Sequence, residues 1–315
     1  MRGRVLLDDS AAGDTISFMA MTRSTILVTV GSVALVATLG ALIPSSTGHN
    51  HSSKNLPTNC SAHVHADGVG TSASSVGFGL DVVSSAAVKG DPTEIRLFVR
   101  DRSDQPVREF ELTHTKQIHL VLVREDLGDY LHVHPDLNPD GSWSVTTVFP
   151  SAGTWRLITD TKTTTGTPIV LGTTITVDGD RTGFSLPAPS DSVSVDGFDI
   201  SVSGSIPTQG HGSLMFNVSR NGVAVPLEMY LGTTAHLVAV RTDGVYSHFH
   251  AHSMAAMASC PSGSMPIDDP SLVDDAATGM IHMMAEVPGP GTYRLFLQFQ
   301  VDGVVHTATF TAVLV

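Results

Sequence analysis

The chain has 315 residues, enough for two domains that each bury a core. Its formal charge of -13 and its scarcity of Lys and Arg leave no broad basic surface, which excludes nucleic acid and anionic lipid headgroups as expected partners. Val, Thr, Ser and Gly dominate over good helix formers, so strands and turns are expected. Residues 1–24 read as a cytoplasmic tail. The uncharged run Thr25–Ile43 follows Arg23 and is long enough to span a bilayer with its C-terminal side outward. The alternative is a signal segment cleaved after Ala41, which the length of the run makes the second choice. The first reading predicts a single-pass cell-membrane protein touching the membrane through that helix alone. The second predicts a secreted one.

Residues 44–75 are rich in Ser, Gly, Asn and His and read as a flexible stalk. Beyond them the chain repeats itself. Gly77-Phe78 matches Gly197-Phe198, His119-Leu120-Val121 matches His236-Leu237-Val238, and His132-Val133-His134 matches His248-Phe249-His250. Gly153-Thr154-Trp155-Arg156-Leu157 matches Gly291-Thr292-Tyr293-Arg294-Leu295 in the same order. Short Val/Ile/Thr/Phe runs alternate with turn clusters such as Asn138-Pro139-Asp140-Gly141, and no helical period is sustained after residue 44. The fold expected is all-β: two tandem Ig-like or cupredoxin-like antiparallel β-sandwiches, 76–178 and 190–315, behind the N-terminal transmembrane or signal helix. The second carries an insert, 253–278, expected as a surface loop.

In the first repeat, a four-residue turn at Glu125–Gly128 pairs Arg124 with Asp129. It sets His119 opposite His134 and Val121 opposite His132. In the second, a three-residue loop Thr242-Asp243-Gly244 sets His236 opposite His250. Residues i and i+2 on a strand share a face, so each repeat gathers three histidines, with Tyr130 or Tyr246 beside them. The opposite face of the first repeat, with Ile118, Leu120, Leu122, Leu131 and Val133, is the expected core face. The histidine face then meets solvent, a loop or the other domain.

Three imidazoles suffice as a first shell for copper or zinc. The candidate metal ligands are therefore His119, His132 and His134, with His236, His248 and His250. Additional candidates are His114, His252, His282, Cys260, His63 and His65, and Asp136 lies close to the first set. Met280, Met283 and Met284 flank His282 as a soft cluster, a pattern that also suits core filling. Hydrogen-bonded polar surface is the competing account of the histidines. Cys60 and Cys260 are compatible with one disulfide, with free thiols or with metal ligation. Trp143, Trp155 and Tyr293 read as core or interdomain packing, and Arg156 and Arg294 as surface partners of acidic residues. There is no Gly-x-Ser-x-Gly, His-Glu-x-x-His or phosphate loop, and the glutamate of a cupin metal motif is missing after both His-x-His pairs, so no catalytic residue is assigned.

The strings KQIHLVLVREDLGDYLHVHPDLNPDGSW, GTTAHLVAVRTDGVYSHFHAH and GTYRLFLQFQVDGVVHTATFTAV resemble a family of uncharacterised exported or membrane-anchored actinobacterial proteins. Members carry paired HLxxxR…HVHP segments and are loosely described as heavy-metal-binding. The resemblance spans about residues 76–315 and implies that the six strand histidines are shared polar positions. The second repeat departs from it, with Ala251-His252 in place of the proline. The function expected is an envelope-tethered metal-binding protein. The alternatives are a β-sandwich module that binds another envelope protein or a non-metal ligand, and then a metal-dependent enzyme.

Overall fold

The computed structural model describes residues 72–84, 86–205, 212–242, 248–252, 275–285 and 289–314. The first repeat forms β1 (Ser74–Ser75), β2 (Phe78–Ser84), β3 (Ala87–Val88), β4 (Pro92–Arg100), β5 (Ile118–Arg124), β6 (Tyr130–Val133), β7 (Asp136–Leu137), β8 (Trp143–Val148), β9 (Gly153–Lys162) and β10 (Pro168–Asp178). The second forms β11 (Ser192–Val195), β12 (Phe198–Ser205), β13 (Gly212–Arg220), β14 (Val223–Ala224), β15 (Ala235–Arg241), β16 (His248–His252), β17 (Met280–Ala285), β18 (Gly291–Val301) and β19 (Val304–Leu314).

Each repeat folds into two sheets around its own core. In the first they run β1-β2-β4-β8-β7 and β3-β10-β9-β5-β6. In the second they run β11-β12-β13-β14, with β17 also on β13, and β16-β15-β18-β19. All described strand pairings are antiparallel except that of β3 with β10, where a two-residue strand crosses to the second sheet. Among the described residues the first strand begins at Ser74, two residues inside the segment assigned to the stalk. A single 3-10 turn, Ala276–Thr278, is the only helical element among the described residues. It lies at the end of the expected insert loop and is tied in by the Leu227 amide, which donates to the Ala276 carbonyl at 2.8 Å.

Alternation along the strands explains both cores. Ile118, Leu120 and Leu122 point inward with Trp143 and Trp155, and Leu131 and Val133 pack at the margin. In the second repeat Leu237, Ala239, Tyr293, Leu295 and Leu297 do the same with Phe216 and Phe310. Trp155 and Tyr293 are anchored identically: the Trp155 indole donates to the Ser151 carbonyl at 3.1 Å, and the Tyr293 hydroxyl to the Gly289 carbonyl at 2.8 Å. Both therefore clamp the chain four residues upstream while filling the core.

A third apolar cluster joins the repeats. Val121, Val123, Leu127, Ile158 and Val170 of the first pack with Val238, Val240 and Phe296 of the second. Tyr130 stacks on Phe296 with ring centroids 4.4 Å apart and planes 9° from parallel. The described residues belong to one compact unit. Strand β5 is buried along its whole length on both faces. The histidine face of the first repeat is thus turned toward the other repeat, not toward solvent. The connecting segment contributes as well: Phe184 lies beneath the Arg294 guanidinium at 5.6 Å.

Candidate metal centre

The first-repeat hairpin has the expected register. Val121 is opposite His132 and Val123 opposite Tyr130, and the Arg124 amide donates to the Asp129 carbonyl at 3.0 Å. This brings His119, His132 and His134 together, each offering a ring nitrogen, all within 4.8 Å of one another. His119 and His132 are buried, and His134 is half-buried. The His119 Nδ1 lies 3.0 Å from His132 Nε2 and 3.2 Å from His134 Nε2.

The outward-facing nitrogens fix the tautomers. A carbonyl only accepts, so His119 Nε2–H donates to the Thr113 carbonyl at 2.9 Å and leaves a lone pair on Nδ1. His132 Nδ1–H donates to the Gln298 amide oxygen at 2.9 Å and leaves a lone pair on Nε2. The amide nitrogen of Gln298 is turned toward the Thr307 hydroxyl at 3.5 Å, consistent with this orientation. Two lone pairs facing each other at 3.0 Å repel unless a proton or a metal ion sits between them. A tetrahedral ion with nitrogens at about 2.0–2.1 Å would hold them roughly 3.3–3.4 Å apart, close to the spacings found. A ligating histidine whose second nitrogen donates to a carbonyl is also the usual outer arrangement of a metal site.

Local structure explains how His119 is held. Thr113 and Lys116 close a tight turn whose central residues, His114 and Thr115, have φ of 48° and 67°. Both central residues being left-handed marks a type I′ turn, and a β-branched residue there is strained. The second repeat builds the same turn from Tyr230 to Thr233, with Leu231 and Gly232 at φ of 53° and 77°. Its Tyr230 carbonyl accepts from His236 Nε2–H at 3.2 Å, just as Thr113 accepts from His119. The two turns meet: the His114 ring stands edge-on to His236 with centroids 5.7 Å apart.

The second-repeat hairpin corrects the expected pairing. His236 is opposite His252, Val238 opposite His250 and Val240 opposite His248. The expected register is therefore off by two residues. By backbone register His250 and His252, not His248 and His250, correspond to His132 and His134, and His248 takes the position of Tyr130. The face survives the error because a two-residue slip preserves strand alternation. His236 brings the second repeat against the first cluster, its ring 5.7 Å from that of His132 and 6.3 Å from that of His119.

Other candidates fall elsewhere. His282 is buried on β17, in the other sheet, and hydrogen-bonds the Ser213 hydroxyl. Met283 is a core residue of the second sandwich. Asp136 is exposed on β7, outside the histidine group. Arg294 is not a surface partner of an acid. It is buried, donates to the Thr311 hydroxyl at 2.9 Å, and burial pulls its pKa down. The Thr25–Ile43 run, His63, His65, Cys60 and Cys260 lie outside the described residues. Among the described residues no helix is long and apolar enough to cross a membrane.

Two polar residues of the site escaped the sequence reading. Gln298 pairs with His236 and reaches across to His132, and Asp160 holds the equivalent place opposite His119 in the first repeat. Asp160 is 3% exposed. Gln298 stands between Leu297 and Phe299, which was an available signal, whereas Asp160 lies between Thr159 and Thr161 and gave none. Tyr130 was expected beside the histidines and is there, its ring 6.5 Å from that of His132. Its hydroxyl is sealed from solvent with no hydrogen-bond partner among the described residues. Burial, and then Tyr230, push its pKa well above 10.0.

Fold and site together define a class: a duplicated β-sandwich protein with a buried three-histidine cluster at the junction of its repeats. The chain belongs to the family described as Domain of unknown function (DUF8832), whose model matches it twice, over residues 72–179 and 193–314. The two matches coincide with the two sandwiches and establish the internal duplication. No curated protein matches the sequence. Among solved structures, the FdeC adhesin of Escherichia coli aligns at 13% identity over 76% of this chain and 64% of its own, with a TM-score of 0.24. A putative membrane-anchored protein from Corynebacterium diphtheriae aligns at 13% identity over 76% of this chain and 57% of its own, with a TM-score of 0.22. This chain spans less than two thirds of either.

Proposed function

We propose that this protein binds a divalent transition metal, zinc or copper(II), through His119, His132 and His134, as an envelope-tethered extracytoplasmic module that buffers or delivers the ion. The observation that carries the reading is the convergence of His119 Nδ1 with His132 Nε2 and His134 Nε2, at 3.0 and 3.2 Å, with the Thr113 carbonyl and the Gln298 amide oriented on the outer nitrogens of His119 and His132. The donor set is all nitrogen. That favours zinc or copper(II) over copper(I), which thioethers and thiolates suit better. His119 and His132 are sealed between the sandwiches, an arrangement that suits holding an ion more than admitting a substrate. The tethering part of the reading rests on the Thr25–Ile43 run of the sequence.

Metal analysis of the purified full chain after dialysis tests the proposal. It expects zinc or copper retained near stoichiometrically, and retention reduced when His119→Ala and His132→Ala are combined. Background metal in the wild type, with thermal stability indifferent to added zinc or copper, would sink it.

A further inference from the structure

We infer that Gln298, in the second repeat, is a positioning residue for the metal site of the first, so that metal affinity and docking of the two sandwiches reinforce each other. The inference rests on the metal reading of His119, His132 and His134. His132 lies on β6, a four-residue edge strand whose one ladder partner is β5. Within its own hairpin, His132 Nε2 faces His119 Nδ1 at 3.0 Å. The hydrogen bond of its other ring nitrogen crosses to Gln298 on β18, with both side chains 7% exposed.

Gln298 is out of place as packing. Its strand neighbours on the same face include Phe296, part of the interdomain apolar cluster. A buried amide there costs stability unless its polar atoms are satisfied. The His132 Nδ1–H satisfies the amide oxygen and thereby aims Nε2 at the cluster centre. If the sandwiches part, His132 loses the Gln298 acceptor, and the cluster loses its preorganisation. Linkage then runs both ways: whatever docking adds to metal affinity, metal adds to docking.

Zinc(II) titration of the full-length protein, alongside Gln298→Leu and Gln298→Glu, decides this. Leu suits an apolar interface but cannot accept from His132, whereas Glu keeps the acceptor at the cost of burying a charge. The expected result is an affinity loss of roughly 10–100-fold for Gln298→Leu, with Gln298→Glu close to wild type. A packing role predicts the opposite order. The copper(II) paramagnetic resonance spectrum should change in Gln298→Leu and be restored in Gln298→Glu. Zinc should also slow amide exchange on β15 and β18 in the wild type, and less so in Gln298→Leu. Equal zinc affinity in wild type and Gln298→Leu overturns the positioning role while leaving the metal reading intact. Zinc-independent exchange on β15 and β18 overturns the linkage. A wild type that takes up no zinc overturns both this inference and the metal reading.

Discussion

The two repeats share a scaffold but differ at the residues around their histidines. Both hold the inner-strand histidine, His119 or His236, by a carbonyl six residues upstream in a type I′ turn. Both hook an aromatic, Trp155 or Tyr293, to the carbonyl four residues back. They diverge where the histidines meet their surroundings. Asp160 stands where the second repeat has Gln298, Tyr130 where it has His248, Thr115 where it has Gly232, and Ile158 where it has Phe296. The backbone anchors recur in both copies, whereas the side chains beside the histidines differ.

Breaking the junction should have the largest effect. Phe296 is 1% exposed and stacks on Tyr130, so Phe296→Ala is expected to destabilise by about 3–5 kcal/mol in denaturant unfolding. Its counterpart Ile158→Ala removes less side chain and should cost less. Equal costs would show that the copies contribute alike. Next come the histidines. His119→Ala removes a proposed ligand and should weaken the first site by more than the roughly 10–100-fold typical of an outer-sphere loss, read by zinc titration. If the second repeat also binds metal, His252→Ala should abolish that equivalent and His248→Ala should spare it, as register dictates. The reverse pattern would restore the His-x-His pair as the matching element.

Asp160→Asn sharpens the contrast with Gln298. If Asp160 supports histidines of the second repeat as Gln298 supports His132, this change should weaken metal uptake there by about 10-fold and leave the first site within a few-fold. Tyr130→Phe keeps the stack and removes a sealed, unsatisfied hydroxyl, so it should stabilise by about 1 kcal/mol. It should also alter the alkaline limb. The folded pKa of Tyr130 is raised, so the unfolded chain loses its phenolic proton above about pH 10 while the folded chain keeps it. Stability therefore falls as pH rises beyond that point, and the Phe variant should lose that part of the slope. Tyr230, shifted the same way by burial, retains its own share. The smallest effect is expected at the turns. Thr115→Gly relieves φ of 67° and should stabilise by about 0.5–1 kcal/mol, with Gly232→Thr destabilising in turn.

The first hairpin was legible in the sequence because the four residues Glu125–Gly128 form the expected turn, which sets Val121 opposite His132. The second was not. Thr242-Asp243-Gly244 satisfies a short-loop rule, and a slip of two residues leaves every side chain on the same face, so hydrophobic patterning cannot correct it. The Ile118-His119-Leu120-Val121-Leu122-Val123 run held a signal that alternation obscured. A strand apolar at successive positions has both faces covered, and Val121 and Val123 had to find a partner besides the core.

The sequence by itself determined the duplication, the all-β class, the core faces and the meeting of His119, His132 and His134, because strand period and turn chemistry are local properties. Tertiary structure alone decided that the histidine face is buried against the second repeat, that His132 meets Gln298 of that repeat, and that His252 pairs with His236. Those outcomes depend on residues distant in the chain coming into contact, and local spacing carries no information about which distant partner will be met.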